Sequence, residues 1–198
     1  MDPITIAVIG GTVLLLAAAG SKKGGSSSKP AWPIINKYAQ RVPDRTYRGG
    51  NAFGASRPYS ENYNCYRTHG GIDLAGDEGD VLVAMENGTI AATQGWDGPR
   101  SKALLLQTDR GPVLLYGAIA PNSWKEFKLE VGSKVKKGQP IARLGVYPQG
   151  STMLHFEKYE KGVKTNAVWC EDRPKPAKMI DPTDYLKSAS NYYDKKVS

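Results

Sequence analysis

Apolar positions change their spacing three times along the chain. Residues 4–19 run without a charge, from Ile4 through Val13-Leu14-Leu15-Leu16 to Ala19. Such a run predicts a helix of roughly 24 Å at 1.5 Å per residue. That is short for a membrane span but sufficient with Gly20 and local thinning of the bilayer. Residues 1–20 are therefore expected to be an N-terminal transmembrane anchor. Residues 21–30 are Gly, Ser and Lys with a closing Pro, the composition of a flexible linker. Residues 31–48 read as a connecting segment, with a short helix expected around Ile34-Ile35-Asn36-Lys37-Tyr38-Ala39.

From residue 49 to 187 the apolar runs are short and bounded by turn formers. Residues 81–84, 88–93, 103–108 and 113–116 each read as a strand, separated by Glu86-Asn87-Gly88, Trp96-Asp97-Gly98-Pro99 and Asp109-Arg110-Gly111-Pro112. The last of these predicts a hairpin. Residues 141–145 and 153–158 supply two further strands, and Asp181-Pro182 opens a closing turn. Residues 188–198 are polar and read as a mobile tail. The expected fold is mainly β: one antiparallel sheet or sandwich domain behind a membrane anchor.

Composition supports this reading. The chain holds 22 glycines and 13 prolines, a supply that favours turns over a helical bundle. Its length of 198 residues suits one domain with appendages. The net charge of +8 gives a basic surface suited to anionic cell wall or lipid headgroups. No Lys/Arg stripe is interleaved with aromatics, so nucleic acid is not expected as a partner. Ala17-Ala18-Ala19 resembles a signal-peptide cleavage site, yet Met1-Asp2-Pro3 carries no Lys or Arg ahead of the apolar run. The uncleaved anchor is the better reading. Lys22 and Lys23 after it favour a cytoplasmic position for the domain. Cys65 and Cys170 form no Cys-x-x-Cys pair, which argues against a zinc knuckle. One disulfide and two separate buried thiols both remain open.

The chain has two histidines, His69 and His155. His69-Gly70-Gly71-Ile72-Asp73 sets an imidazole and a carboxylate four residues apart, and two glycines let the backbone turn between them. Histidine with carboxylate is a zinc-competent pair, and a third nitrogen would leave a fourth position open.

This motif stands in a series that resembles the lysostaphin/LytM-type zinc metalloendopeptidases, which cut peptide cross-bridges in bacterial cell wall. The series is His69-Gly70-Gly71-Ile72-Asp73-Leu74, Gly79-Asp80-Val81-Leu82-Val83-Ala84, Asn87-Gly88-Thr89-Ile90, Leu115-Tyr116-Gly117, residues 131–142, Leu154-His155-Phe156-Glu157 and Asp181-Pro182-Thr183-Asp184-Tyr185-Leu186. The resemblance implies a LytM-like domain over residues 49–187. It also implies that His69, Asp73 and His155 ligate Zn2+.

The same resemblance exposes two departures. The family carries a histidine two residues before the one matched by His155, and another shortly after the Tyr-Gly pair. Here those positions are Met153 and Ala118. A thioether and a methyl group transfer no proton at neutral pH. A positioned acid or base contributes on the order of 10²–10⁴-fold, so no catalytic residue is assigned. Tyr116, Tyr147, Ser151 and Glu157 are the candidate substitutes, each with an ordinary structural role as the simpler reading. The expectation is a catalytically degenerate, membrane-anchored module that binds peptidoglycan, a cell-wall peptide or an assembly partner, within a bacterial envelope or a membrane-containing phage particle. The alternative is an active zinc-dependent endopeptidase with altered proton transfer.

Overall fold

The structure, a computed structural model, describes residues 6–9, 12–15, 29–38, 40, 42–43, 50–96, 100–146 and 152–189. The expected transmembrane helix is corrected where it is described. β1 (Ile6–Ile9) and β2 (Thr12–Leu15) form an antiparallel pair in register Ile6↔Leu15. β-branched residues at Ile6, Val8, Ile9, Thr12 and Val13 favour strand over helix. Gly10-Gly11 between them is a hairpin-loop composition. Among the described residues no helix is long and apolar enough to cross a membrane. The rest of the proposed anchor and most of the linker lie outside the described residues.

The helix expected at residues 34–39 is also replaced. β3 (Ile34–Ile35) is a two-residue strand instead, and Ala39 lies outside the described residues. The chain continues as β4 (Ser56–Ser60), β5 (Cys65–Thr68), β6 (Ile72–Ala75), β7 (Val81–Val83) and β8 (Gly88–Gly95). β9 (Lys102–Thr108), β10 (Val113–Ile119) and a 3-10 helix at Ser123–Phe127 follow. β11 (Lys134–Val135), β12 (Pro140–Arg143), β13 (Met153–Tyr159), β14 (Trp169–Cys170), β15 (Met179–Ile180) and α1 (Thr183–Lys187) complete the order.

A seven-stranded sheet runs β11-β8-β9-β10-β13-β15, with β6 also paired to β13. All its pairings are antiparallel. A small sheet, β12-β7-β3, shares the core with it: Ile34, Leu82 and Ile141 belong to one cluster with Leu104, Leu115 and Phe156. This explains β3. Ile34 pairs with Leu82 and is buried in that cluster, so packing onto a sheet edge overrides helix propensity. Every residue of β10 is buried, as are five of the seven of β9. These strands read as continuous apolar runs because both of their faces are covered. The predicted hairpin at Asp109–Pro112 joins them, with Val113 opposite Gln107.

β4, β5 and β14 form a third sheet. A disulfide between Cys65 and Cys170 ties β5 to β14, which resolves the two alternatives left open for the cysteines. Asp181 caps the turn into α1 by accepting the Thr183 N–H at 2.9 Å, and Leu186 is buried.

Candidate functional site

β13 carries the site because its two faces differ. Leu154 and Phe156 enter the core, while Met153, His155, Glu157 and Tyr159 alternate onto the other face. β6 lies beside it in a register that sets Asp73 directly opposite His155. His69 reaches the same place from the end of β5, through the Gly70-Gly71 turn. Gly71 is needed there: a Cβ would stand 2.5 Å from the Phe156 carbonyl oxygen and 2.7 Å from His155 Nε2.

His69 Nδ1 donates to the Ala52 carbonyl at 2.8 Å, which leaves Nε2 with its lone pair free. His69 Nε2 lies 3.1 Å from His155 Nδ1 and 3.2 Å from Asp73 Oδ1. Asp73 Oδ1 and His155 Nδ1 are 2.9 Å apart. The three donor atoms thus form a nearly equilateral triangle. Tetrahedral zinc with bonds of about 2.0–2.1 Å spaces its ligands by roughly 3.3 Å, so the triangle fits one face of such a site. Among the described residues these are the three side chains grouped to hold a metal ion.

The atoms facing away from the triangle are also engaged. His155 Nε2 lies 3.0 Å from Glu157 Oε1, and Tyr159 donates its hydroxyl to Glu157 Oε2 at 2.6 Å. Ala167 N–H donates to the Tyr159 oxygen at 2.9 Å. Arg57 Nη2 donates to Asp73 Oδ2 at 2.9 Å and Nη1 to the Gly50 carbonyl. Partners of this kind fix ligand orientation. Burial works against the His155 imidazolium, but Asp73 and Glu157 outweigh it and raise its pKa to about 9. Burial dominates at His69 and lowers its pKa. Burial would raise Asp73, yet hydrogen bonds from His155 and His69 prevail and hold its carboxyl well below the usual range.

The triangle opens into a groove of about 450 Å³. Ser60, Asn62, Tyr63 and Arg67 line it on the β4–β5 side, with Trp96, Asn166, Val168 and Trp169 also in its wall. The Trp96 ring stands 4.8 Å from the His155 ring. Ala118 and Met153 both line the groove. Ala118 sits at an irregularity of β10 with φ 61°, next to Gly117, which pairs with His155. Among the expected substitutes, Tyr116 is fully buried with its oxygen accepting the Met85 N–H at 3.0 Å, so it belongs to the core. Glu157 is committed to His155 and Tyr159. Tyr147 and Ser151 lie outside the described residues. Arg57 and Trp96 gave no sequence signal, whereas the alternation His155, Glu157, Tyr159 on one strand could have identified that relay.

A family model described as peptidase family M23 matches residues 67–167, about half the chain, a span that contains His69, Asp73 and His155. Among solved structures, the catalytic domain of the antimicrobial peptidase lysostaphin from Staphylococcus simulans superposes with a TM-score of 0.51 at 21% identity, covering 72% of this chain and 94% of that one. A second structure of lysostaphin from the same organism gives 0.53 at 21% identity, covering 77% of this chain and 54% of that one. A chain of the SpoIIQ-SpoIIIAH pore forming complex gives 0.54 at 19% identity, covering 87% of this chain and 100% of that one. At these identities the likeness is one of fold. Comparison with curated proteins finds no match.

Proposed function

The chain belongs to peptidase family M23, and on that premise we propose that its domain is a zinc-holding binding module for peptidoglycan peptides or a protein partner rather than an efficient hydrolase. The observation that carries this is a complete donor triangle beside a groove whose Ala118 and Met153 cannot transfer a proton. His69 Nε2, Asp73 Oδ1 and His155 Nδ1 would hold the ion, and their spacing fits it. Bound there, zinc supplies Lewis-acid polarisation of a carbonyl. The chain's own residues orient and hold: Glu157 fixes the His155 ring, Arg57 fixes Asp73, and the aromatic wall receives a peptide.

Two features bear on location, and they point to opposite sides of a membrane. Lys22 and Lys23 favour a cytoplasmic domain. The Cys65–Cys170 disulfide supports an oxidising space outside it, and we give it the greater weight. An envelope domain is the reading we adopt, and a membrane-containing phage particle would suit the same module.

Metal analysis of the purified protein, combined with sedimentation on insoluble peptidoglycan and a wall-digestion assay, tests the proposal. One zinc per chain, metal-dependent co-sedimentation and negligible release of wall fragments are expected. Rapid digestion abolished by His155→Ala would establish the endopeptidase alternative instead.

A further inference from the structure

The groove holds a cation that the fold does not use. Arg57 is bound to Asp73 and Gly50, and His155 lies between Asp73 and Glu157. Arg67 lines the same groove, yet its Nε is buried without a hydrogen-bond partner. Among the described residues no hydrogen bond or ion pair engages its guanidinium. A buried N–H without an acceptor costs stability. That cost is offset when a ligand supplies the anion.

Position says what the ligand is. Strand pairing continues past Thr68, because His69 N–H donates to the Ala55 carbonyl at 2.8 Å and its carbonyl accepts from Gly54. Arg67 and His69 therefore share one face of extended chain, about 7 Å apart. That separation is roughly two residues of an extended peptide. The planar fork of arginine matches a carboxylate in two parallel hydrogen bonds.

We propose that Arg67 docks a carboxylate of the peptide ligand, one or two residues beyond the peptide unit that lies over the His69–Asp73–His155 triangle. The proposal rests on the groove being a peptide site, and it names the charged group of the peptide that the groove selects. The carboxylate belongs to a chain terminus or to an acidic side chain.

Three fluorescein-labelled probes decide this with the full zinc-loaded chain in detergent: an alanine tripeptide with a free carboxyl terminus, its terminal amide, and the amide with glutamate as last residue. The free acid should bind at least about tenfold more tightly than the alanine amide. In Arg67→Gln the two should bind alike, while the thermal midpoint stays level because Arg67 holds no other part of the fold. If the glutamate amide matches the free acid, the carboxylate comes from a side chain; if it matches the alanine amide, from a terminus. Equal binding of acid and alanine amide by the unmodified protein overturns the assignment, a comparison that needs no variant. So does discrimination retained in Arg67→Gln. Binding of no probe overturns the peptide groove and this assignment together.

Discussion

Asp73 is the residue on which both halves of the site depend. Its Oδ1 meets two imidazoles and its Oδ2 meets Arg57, so one carboxylate balances a donor triangle and a partly buried cation. Asp73→Asn removes that charge while keeping the shape. We expect zinc content to fall to background. The metal-free domain should lose about 3 kcal/mol in urea unfolding, as when one partner of a buried ion pair is deleted. Ala118 and Met153 raise a different question at the same scale. Met153 is one alternate position from His155 on β13 and faces the groove, so histidine there meets no core packing. Ala118 is already held at a positive φ, which histidine tolerates better than a β-branched residue. The double replacement Ala118→His with Met153→His should raise wall-fragment release at least about 10²-fold if proton transfer is what the domain lacks. A double variant that binds zinc and stays inert would show that the groove itself has diverged.

Elements hold these residues through close backbone contact and one covalent tie. The β6–β13 pairing works because Gly71 lets the chain pass against Phe156 and His155. Gly71→Ala has no free space, and the obstacle is partly backbone. We expect a loss of about 1–3 kcal/mol and zinc bound at a fraction of the normal stoichiometry, since His155 must move. The wall carrying Arg57 and Arg67 is β4–β5, a hairpin paired with β14 and tied to it by the Cys65–Cys170 bond. The bond joins residues 105 apart. Replacing both cysteines by serine should cost about 2–4 kcal/mol, read as a lowered denaturation midpoint. It should also weaken ligand capture more than zinc binding, because Asp73 and His155 are held by the β6–β13 pairing and His69 by its bond to Ala52.

For the molecule as a whole, stability and metal binding respond to pH in opposite directions. The folded pKa of His155, about 9, lies above its ordinary value of 6.5. Its imidazolium therefore stabilises the metal-free domain fully below about pH 6.5, and that contribution is lost as pH rises through about 9. Zinc needs the neutral ring, so metal affinity rises over the same window. The melting temperature of chelator-treated protein should fall between about pH 6.5 and 9, while that of zinc-loaded protein should hold or rise. Parallel behaviour with and without zinc would mean that His155 is not a ligand.

The β character, the hairpin at Asp109–Pro112 and the three converging donors were legible in the sequence. The turns and the His69–Asp73 pair follow local rules, turn residues between short apolar runs and a His-x-x-x-Asp motif, whereas His155 joined them only through the resemblance of the whole series of landmarks. Other features needed the tertiary structure. Ile34-Ile35 became a strand because β7 offered an edge, and residues 6–9 and 12–15 paired as strands where hydropathy alone suggested a helix. The cysteines met because β5 and β14 are neighbours in space, although 105 residues separate them. Arg57 was drawn to Asp73, and Arg67 Nε was buried without a partner among the described residues; neither fate has a sequence signal. Short-range chemistry is written in spacing, whereas the partner of a charge depends on which distant segment folds against it.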